Sequence, residues 1–282
     1  MKMLINKNTK VIVQGVGEQG SFHLKLMKEY GTKVVAAIST SKEGIIEGVP
    51  LYPSVADALK EHKADFSILF VPAKFAKKAA LESLNNGLNL VIITEGIPVL
   101  DTIEIMQSAK EKGLLVIGPN TSGIIAPEQS KIGIMPSHIF KKGHTAVISR
   151  SGTLAYEIVN QLTQNGMGQS IVIGIGGDPV IGFDFIQGLK LAENDAETES
   201  IVLIGEIGGN LEEKAADYIK NNVSKKVVAY IAGRVTPKDK KMGHAGAIIE
   251  GNTGTADSKI FALKQAGVKI AELPSGIIEF LK

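Results

Sequence analysis

The feature that most constrains the fold is a regular alternation of short β-branched runs with amphipathic segments. The runs fit strands that are buried on both faces. In the first half of the chain they cover residues 10–16, 33–38, 66–71, 89–94 and 114–118. The segments between them have helical periodicity, and glycine ends three of them, as it often ends helices. Strands that alternate with helices predict right-handed βαβ units and a parallel sheet.

The same alternation returns in the second half of the chain. Predicted strands cover residues 144–149, 170–175, 200–207 and 226–232, and predicted helices lie near 153–165, 182–193, 211–222 and 257–266. Between the halves, residues 118–143 interrupt the pattern with three prolines and four glycines. A length of 282 residues exceeds the usual size of a single core. We therefore predict two doubly wound domains, 1–122 and 144–282, with a linker at 123–143.

The composition argues against several classes of function. The formal net charge is +2 and no long run of Lys or Arg occurs, so a nucleic-acid-binding surface is not expected. Cysteine is absent, which excludes a disulfide framework, a thiolate nucleophile and a cysteine-based metal site. No apolar run approaches the ~20 residues of a membrane span, and the N-terminus lacks the apolar region of a signal peptide. These features predict a cytoplasmic protein without membrane or nucleic-acid partners.

A glycine-rich loop follows the first predicted strand and opens the first predicted helix. "GVGEQG" (15–20) matches G-x-G-x-x-G, in which glycines let the backbone approach a pyrophosphate at a helix N-terminus. An NAD site also requires an acidic residue about 20 positions further on, but the second strand ends in "STSK" (39–42). Lys42 suits a ribose that carries a phosphate, as in NADP or coenzyme A (CoA). The alternative is a glycine-rich turn without a ligand.

Two more loops follow predicted strands of the first domain. "VPAKF" (71–75) and "ITEGIP" (93–98) are rich in Pro and Gly. In doubly wound sheets, ligands bind beyond the carboxyl ends of the strands. The two loops therefore fit ligand contacts, although ordinary turns between strand and helix remain an alternative.

A second candidate anion site lies at a helix start in the other half of the chain. "ISRSGTLAYEI" (148–158) reads as a strand that ends in Ser-Arg-Ser-Gly-Thr and continues into a helix. The first-turn N–H groups, with the hydroxyls of Ser151 and Thr153 on either side of Gly152, could bind an anion toward which the helix dipole points. The alternative is an ordinary N-cap, where Ser and Thr are favoured.

One of the five histidines, His244, lies between small residues in "KKMGHAGAIIEG" (240–251). A buried structural histidine usually has bulky neighbours, so this one is predicted to be presented to a partner. Glu206 follows the apolar run "IVLIG" and is predicted at the carboxyl edge of the sheet. A carboxylate there can hold one imidazole nitrogen and leave the other free to react. Glu212 and Glu213 are predicted on a solvated helix face.

A phosphohistidine would use the imidazole, the carboxylate and the helix start together. The histidine would attack a phosphoryl group, the carboxylate would fix its tautomer, and the helix N-terminus would neutralise the phosphoryl oxygens. A metal ligand or a turn histidine remains an alternative, although no second histidine lies at zinc-ligand spacing. The histidines that fit less well, because they fall in helices or near the linker, are His23, His62, His138 and His144.

These motifs resemble the alpha subunits of succinyl-CoA synthetase along the whole chain. The matching stretches, in order, are "KNTKVIVQG", "YGTKVV", "ITEGIP", "GPN", "KIGIMP", "VISRSGTLAYE", "IGIGGDP", "IGEIGG", "YIAG", "MGHAGAII" and "GTADSK". The resemblance implies an α/β protein with an N-terminal Rossmann-like CoA-binding domain. A flavodoxin-like, doubly wound ligase domain is expected to follow it.

The resemblance also implies roles for individual residues. His244 is expected to carry the phosphoryl group and Glu206 to orient it, whereas Tyr156 is expected to approach the carboxylate substrate. The expected phosphate-binding residues are Ser151, Gly152 and Thr153. The expected CoA contacts are Gly15, Val16, Gly17, Glu18, Gln19, Lys42, Pro72, Ile93, Thr94 and Glu95.

Three stretches depart from the family pattern. "GVGEQG" is one residue shorter than the usual G-x-T-G-x-Q-G and carries Glu18, so contacts carried over to 17–19 have an offset of up to one residue. "GPNTS" and "GNTGTADSK" differ from the commoner "GPNCPG" and "GGKGTADEK". Neither change removes a residue that the mechanism requires.

The reaction that the resemblance implies is NTP + succinate + CoA ⇌ NDP + phosphate + succinyl-CoA. The resemblance also implies a partner beta subunit whose ATP-grasp domain binds ATP or GTP and Mg²⁺. The absence of a G-x-x-x-x-G-K-[ST] motif from this chain agrees with that division. No metal site is expected in this chain. The preferred acid, the nucleotide and an αβ or α₂β₂ assembly stay open.

Three other functions stay open from the sequence. One is a sister ligase of the same fold that acts on malate, citrate or another acid. Another is an NADP-dependent oxidoreductase that uses the first domain. The third is a non-catalytic CoA-binding protein.

Overall fold

The computed structural model describes residues 4–234, 243–249 and 254–282. Within them the strands form two sheets of seven strands each. The strands of the first sheet are β1 (Lys10–Gln14), β2 (Lys33–Ile38), β3 (Ile45–Ile46), β4 (Val49–Tyr52), β5 (Phe66–Leu69), β6 (Asn89–Ile92) and β7 (Val116–Ile117). Those of the second sheet are β8 (Gly123–Ala126), β9 (Ser130–Gly133), β10 (Lys142–Ser149), β11 (Gln169–Gly174), β12 (Ser200–Glu206), β13 (Lys226–Ala232) and β14 (Lys269–Ala271).

Helices connect most of these strands. The helices between strands of the first sheet are α1 (Glu18–Glu29), α2 (Val55–Glu61), α3 (Ala73–Asn85) and α4 (Val99–Lys112). Those of the second half are α5 (Gly152–Gln164), α6 (Phe185–Glu193), α7 (Leu211–Asn222), α8 (Ala256–Gln265) and α9 (Ile277–Leu281). In the part of the chain that the structure describes, no helix has the length and apolar character to cross a membrane.

The first sheet has the strand order of a dinucleotide-binding fold. Its order is β3-β4-β2-β1-β5-β6-β7, and only the pair β3–β4 is antiparallel. Counted along the chain without β3, the parallel strands follow the order 3-2-1-4-5-6, which is that of the Rossmann fold. The order reverses between β1 and β5, where Gln14 pairs with Leu69. This is the edge position at which such sheets bind ligands.

The second sheet follows the other common doubly wound order. Its strands run β14-β13-β12-β10-β11-β8-β9. Its chain-ordered parallel strands β10 to β14 have the order 2-1-3-4-5 of flavodoxin-like sheets. The order reverses between β10 and β12, where Ser149 pairs with Ile204. Both predicted fold classes are therefore confirmed.

The local sequence explains where several helices begin and end. In α3, Ala76, Ala80 and Leu84 are spaced by four residues and are buried against the first sheet's core. Helix α4 ends at Gly113, whose φ of 66° is left-handed and favours glycine. Helix α6 begins with a capping box, in which Asp184 and Gln187 each accept a hydrogen bond from the other's backbone.

The described residues divide into two compact units. One consists of residues 5–135 with 180–182, and the other of Leu4, 136–179 and 183–282. The segment 123–143, predicted as a linker, contains the antiparallel hairpin β8–β9, a 3-10 turn at Ser137–Ile139 and the start of β10. Its prolines and glycines suggested a break in structure, whereas short antiparallel strands tolerate them at their ends. The short strands β3, β4 and β14 were not predicted either.

Candidate functional site

The second sheet brings His244 and Glu206 into direct contact. Nδ1 of His244 lies 2.9 Å from Oε1 and 2.8 Å from Oε2 of Glu206. A carboxylate can only accept, so Nδ1 carries the proton and Nε2 keeps its lone pair in the neutral ring. Nε2 has no hydrogen bond to any residue in the described ranges, and the side chain is 27% exposed. The pair therefore presents an imidazole with one nitrogen held and the other available.

The position of Glu206 follows from the sheet topology. It is the last residue of β12, and Arg150 directly follows the neighbouring strand β10. Both side chains thus lie where the strand order of this sheet reverses, the edge at which doubly wound sheets place their ligands. The prediction that Glu206 lies at the carboxyl edge is confirmed by this placement.

The electrostatics of the pair favour the protonated ring. The hydrogen bond to Glu206 raises the pKa of His244 above its ordinary value, and this outweighs the opposite effect of partial burial. The positive charge of Arg150 lowers the same pKa, and the carboxylate of Asp178 raises it. The imidazole is therefore more basic than a free histidine, and Glu206 stabilises the positive charge on it.

Glycines allow the backbone to pack against this ring. A Cβ atom on Gly177, in "GIGGDP", would lie 2.3 to 2.6 Å from three ring atoms of His244. The backbone N–H of Gly246 donates to the carbonyl of Gly177 at 3.0 Å. Gly208 has a φ of 91°, and a Cβ there would lie 2.0 Å from the carbonyl oxygen of Gly246. Only glycine fits these two positions without a shift of neighbouring backbone or ring.

Arg150 connects Glu206 to a second, more deeply buried carboxylate. Its Nη2 lies 3.3 Å from Oε1 of Glu206, and its Nη1 lies 3.3 Å from Oε1 of Glu212. Nη1 also donates to the carbonyls of Glu206 and Gly208, at 3.2 and 3.1 Å. Lys259 on α8 pairs with the other oxygen of Glu212. We call Arg150, Glu206, Glu212 and Lys259 the charge network.

The prediction that Glu212 lies on a solvated helix face is wrong. Its side chain is 3% exposed, although it lies in the first turn of α7 and follows a glycine-rich loop. Ion pairs with Arg150 and Lys259 compensate for the loss of hydration. Glu213 is 27% exposed and pairs with Lys259 at 3.1 Å, so it lies at the rim of the same network.

The predicted phosphate-binding residues form the start of α5. Ser151 is the N-cap, and its hydroxyl accepts from the backbone N–H of Leu154 at 3.3 Å. Gly152 and Thr153 are the first two helical residues, whose N–H groups have no acceptor within the helix. Tyr156 lies one turn further along and is half-buried. The N-cap alternative and the anion site are thus compatible, because the cap uses the hydroxyl and not these N–H groups.

The first unit contains a cavity at the switch point of its sheet. The cavity has a volume of about 600 Å³. It is lined by Gln14, Gly15, Val16, Gly17, Ile38, Ser39, Thr40, Ser41, Lys42, Pro53, Ser54, Val71, Phe75, Lys78, Ala79 and Glu82. Nζ of Lys42 donates to the carbonyl of Val16 at 3.0 Å, which holds the ammonium beside the glycine-rich loop. The cavity therefore has glycine backbone, hydroxyls and two ammonium groups along its wall.

The glycine-rich loop has the geometry that its motif predicts. Gly15 has a φ of 87°, and a Cβ on Gly20 would lie 1.8 Å from the carbonyl oxygen of Gly15. Gly17 is the N-cap of α1 and has open space around it. The loop can therefore turn sharply after β1 and leave room for a ligand at the helix start.

Some predicted CoA contacts line this cavity and others do not. Gly15, Val16, Gly17 and Lys42 line it. The predicted contacts outside its lining are Glu18, Gln19, Pro72, Ile93, Thr94 and Glu95. Glu18 and Gln19 lie in the exposed first turn of α1. The hydroxyl of Thr94 donates a hydrogen bond to the carbonyl of Val71 at 2.6 Å. Thr94 therefore fixes the backbone of a lining residue without lining the cavity itself.

Several lining residues were missed because they do not lie at strand ends. Lys78 and Glu82 face the cavity from the second and third turns of α3, and Ser54 is the N-cap of α2. Lys78 and Glu82 are four residues apart and lie on the same face of α3 as Phe75. This spacing was the sequence signal from which they could have been predicted to share a surface. Glu82 also accepts from the backbone N–H of Val55 at 2.7 Å.

The other four histidines are in different environments. His23 stacks on Phe70 with ring centroids 5.7 Å apart, and burial lowers its pKa. His62 contacts the hydroxyl of Tyr52 at 2.8 Å. Nδ1 of His144 contacts the carbonyl of Glu197, also at 2.8 Å, and His138 lies in the 3-10 turn. In the described part of the chain, none of these four has an imidazole nitrogen hydrogen-bonded to a carboxylate.

Parts of the motifs quoted from the sequence lie outside the described residues, namely residues 240–242 and 250–251 of "KKMGHAGAIIEG" and residues 251–253 of "GNTGTADSK". The remaining parts lie near one another, since the backbone N–H of Gly208 donates to the carbonyl of Gly254 at 2.8 Å. The His244 segment and the "GTADSK" helix therefore both adjoin the loop that follows β12.

Comparison with known families and proteins agrees with this geometry. The model of the CoA binding domain matches residues 6–96, and the CoA-ligase model matches residues 148–269. A succinate–CoA ligase (ADP-forming) subunit alpha 2 of Archaeoglobus fulgidus is 49% identical over 284 residues, or 100% of this chain and 99% of that protein. A succinate–CoA ligase (ADP-forming) subunit alpha of Staphylococcus aureus is 50% identical over 280 residues, or 98% and 93%.

Similarity to a solved structure extends over nearly the whole fold. ATP citrate lyase from Methanothrix soehngenii, in complex with citrate and coenzyme A, superposes with a TM-score of 0.91 at 25% sequence identity. The match covers 99% of this chain and 50% of that chain, so this chain spans half the length of the lyase. The full-length relatives at about half identity, with both family models in order, decide the assignment. This chain belongs to the family of succinate–CoA ligase alpha subunits.

Proposed function

We propose that this chain is the alpha subunit of an ADP-forming succinate–CoA ligase, with the reaction ATP + succinate + CoA ⇌ ADP + phosphate + succinyl-CoA. The observation that carries the proposal is the contact of 2.8 Å between Nδ1 of His244 and Glu206 at the edge of a flavodoxin-like sheet. It leaves Nε2 as a nucleophile in a chain that also has a CoA-binding domain. The names of the relatives supply the acid and the nucleotide.

The chemistry divides into three displacements that conserve every group. Nε2 of His244 attacks the terminal phosphorus of ATP, the phosphorus–oxygen bond to ADP breaks, and ADP leaves. A carboxylate oxygen of succinate then attacks that phosphorus, the nitrogen–phosphorus bond breaks, and succinyl phosphate forms. Finally the CoA sulfur attacks the acyl carbon, the carbon–oxygen bond breaks, and phosphate leaves with the thiol proton.

Glu206 acts on the first two displacements through the ring. As Nε2 forms its bond to phosphorus, positive charge develops on the imidazole, and the carboxylate at Nδ1 stabilises that charge. The same hydrogen bond keeps the proton on Nδ1 in the neutral ring, which is the tautomer that can attack. The hydrogen bond also raises the pKa of His244, which favours the protonated ring. The ring must therefore lose its Nε2 proton before Nε2 can attack.

The start of α5 is the site that we assign to the phosphoryl oxygens. The N–H groups of Gly152 and Thr153 point out of the first turn, where the helix dipole favours an anion. Ser151 contributes by capping the helix, and Tyr156 is assigned to the carboxylate substrate because of its place in the family motif. Thr153 is exposed and Gly152 half-buried, so an oxygen of a phosphoryl group can reach their N–H groups.

The cavity of the first unit is the site that we assign to CoA. Its glycine-rich loop suits a pyrophosphate, and Lys42 and Lys78 suit the phosphate on the adenosine ribose. At the end of β2, where an NAD site has an acid, the cavity is lined by Ser39, Thr40 and Ser41 instead. The composition of the wall thus favours CoA over NAD.

The nucleotide and Mg²⁺ are assigned to a partner beta subunit. This chain lacks the glycine-rich G-x-x-x-x-G-K-[ST] loop, and its relatives are themselves named as subunits alpha. The chain alone is expected to show no ligase turnover, and activity is expected to appear when a beta subunit is added. Thioester formation from ATP by the purified chain alone would contradict this division.

Phosphate incorporation tests the proposed nucleophile. The reconstituted enzyme is incubated with ATP labelled in the terminal phosphate, and acid-labile, base-stable label on the chain is measured. His244→Asn should remove the label, and His144→Asn, a matched change at an exposed histidine, should leave it. Label at the wild-type level in His244→Asn would refute the proposal. Hydroxylamine trapping with succinate, malate and citrate in turn identifies the acid.

A further inference from the structure

The charge network contains more buried charge than one oriented histidine requires. Arg150, Glu206, Glu212 and Lys259 each have at least nine-tenths of the side chain buried. Apolar residues of similar volume would usually give equal or greater stability than buried ion pairs. Stability of the core therefore does not explain the buried charges, and a role in the site around His244 does.

Its contacts form a continuous path from α8 to the imidazole. Lys259 pairs with Oε2 of Glu212, which leaves Oε1 for Nη1 of Arg150 at 3.3 Å and for the backbone N–H of Glu206 at 3.1 Å. Nη2 of the same guanidinium lies 3.3 Å from Oε1 of Glu206, which in turn contacts Nδ1 of His244. One guanidinium is thus shared by two carboxylates, and only one of them contacts the ring.

We propose that Glu212 and Lys259 are positioning residues that set how strongly Glu206 acts on His244, because they determine how much of Arg150 is left for Glu206. Lys259 pairs with one oxygen of Glu212, so the carboxylate of Glu212 attracts the Arg150 guanidinium less strongly than an unpaired carboxylate would. More of the guanidinium's charge is therefore available to Glu206. Glu212 also fixes the peptide of Glu206 through its N–H. The inference deepens the proposed function, since it concerns the basicity of the proposed nucleophile.

The charges around the ring make the direction of each change definite. Among the residues that the structure describes, Glu206, Arg150 and Asp178 act on His244 directly. In Lys259→Met, a positive charge is lost and Glu212 draws Arg150 away from Glu206, and both effects raise the pKa of His244. In Glu212→Gln, a negative charge is lost and Arg150 turns to Glu206, and both effects lower that pKa.

The test is a titration of His244 by NMR on the full chain labelled at histidine. The chain has only five histidines, and His244→Asn identifies the signal of interest. The pKa of His244 is expected to rise in Lys259→Met and to fall in Glu212→Gln relative to the unsubstituted chain. Shifts of the same sign in both variants, or no shift in either, would overturn the proposal, because general loosening of the site has no reason to give opposite signs.

Control variants separate the network from general charge and folding effects. Lys264→Met removes an exposed lysine from the same helix and should leave the titration unchanged. Lys259→Arg keeps the charge and should restore the wild-type titration. If Lys259→Met does not fold, Lys259→Gln replaces it, because it also removes the charge that pairs with Glu212. A pKa of His244 that does not rise in that variant would overturn the proposal.

The rate of label incorporation provides a second readout with the beta subunit present. Lys259→Met should shift the pH dependence of that rate upward and reduce the rate at neutral pH roughly tenfold, as coupled network residues commonly do. The titration needs no phosphoryl transfer. Opposite pKa shifts without any labelling of His244 would therefore support the network and refute the proposed function. Labelling of His244 without those shifts would support the proposed function and refute the role of the network.

Discussion

A Cβ atom placed on Gly177 would lie 2.3 Å from Cγ of His244, closer than two such carbons approach in real structures. The ring of His244 thus lies directly on the backbone of the "GIGGDP" loop. Because Nδ1 is hydrogen-bonded to Glu206, the ring cannot move away from a side chain at position 177 without losing that hydrogen bond. The glycine and the carboxylate together fix where Nε2 can be.

We predict that Gly177→Ala displaces the imidazole and reduces phosphate incorporation about 100-fold, the usual consequence of a misplacement near 1 Å. Label incorporation and thermal unfolding measure the two effects separately. Gly276→Ala is the matched control, because a Cβ there meets only an ordinary contact at 3.6 Å with Ala271. Normal labelling of Gly177→Ala would contradict the prediction, because it would show that the imidazole can shift and still react.

Glu206→Gln should lower the pKa of His244, because the carboxylate is the largest contribution that raises it. The pH at which phosphate incorporation reaches half its maximum should fall with it, since only the neutral ring attacks. At high pH, where both proteins have a neutral ring, the variant should still be roughly tenfold slower, because a hydrogen bond to a charged group is lost. Histidine NMR and a pH series of label incorporation check the two expectations.

The same pair predicts a pH-dependent contribution to stability. A histidine whose pKa is raised on folding stabilises the native state fully below the unfolded pKa, and this contribution disappears as pH rises through the folded pKa. Glu206→Gln should therefore lose more stability at about pH 5 than at about pH 9, as measured by urea unfolding. An equal loss at both pH values would mean that the pair is not coupled to folding.

Lys42→Ala should weaken binding of CoA roughly fivefold while binding of dephospho-CoA changes little, since an exposed ion pair makes a modest contribution. Calorimetry with CoA, dephospho-CoA and NAD measures these affinities. Lys78→Ala should behave in the same way, because Lys78 lines the same cavity. Lys25→Ala, at an exposed position of α1 outside the cavity lining, is the control. Tighter binding of NAD than of CoA would contradict the assignment of the cavity.

Ser151→Ala should cost about 1 kcal/mol of stability through loss of the N-cap and leave label incorporation close to normal. The reason is that the hydroxyl accepts from Leu154, whereas the proposed phosphate contacts are backbone N–H groups. Ser151→Gly, which caps nearly as well, should cost only a few tenths of a kcal/mol. Chemical unfolding and labelling of the same samples compare the two effects. A large loss of label in Ser151→Ala would instead place the hydroxyl at the phosphoryl group.

How far the sequence predicted the structure depended on whether the signal was local. The βα alternation predicted the long strands and helices, because a strand buried on both faces shows a continuous apolar run. The contact between His244 and Glu206 was predictable because both residues follow recognisable local patterns. The burial of Glu212 was not, since its partners Arg150 and Lys259 are 62 and 47 residues away in the chain. Lys78 was missed because it lies in the second turn of α3 and not at the end of a strand.

These long separations determine when the candidate site can form during folding. The hydrogen bonds from Arg150 and Lys259 to Glu212 close loops of 62 and 47 residues, and that from His244 to Glu206 closes one of 38. Each of these contacts carries the entropy cost of loop closure, and a single buried charge is unfavourable without its partner. The charge network and its contact with the imidazole of His244 are therefore complete only when β10, β12, α7 and α8 have assembled. A nascent or partly folded chain carries the histidine without the carboxylate that orients it.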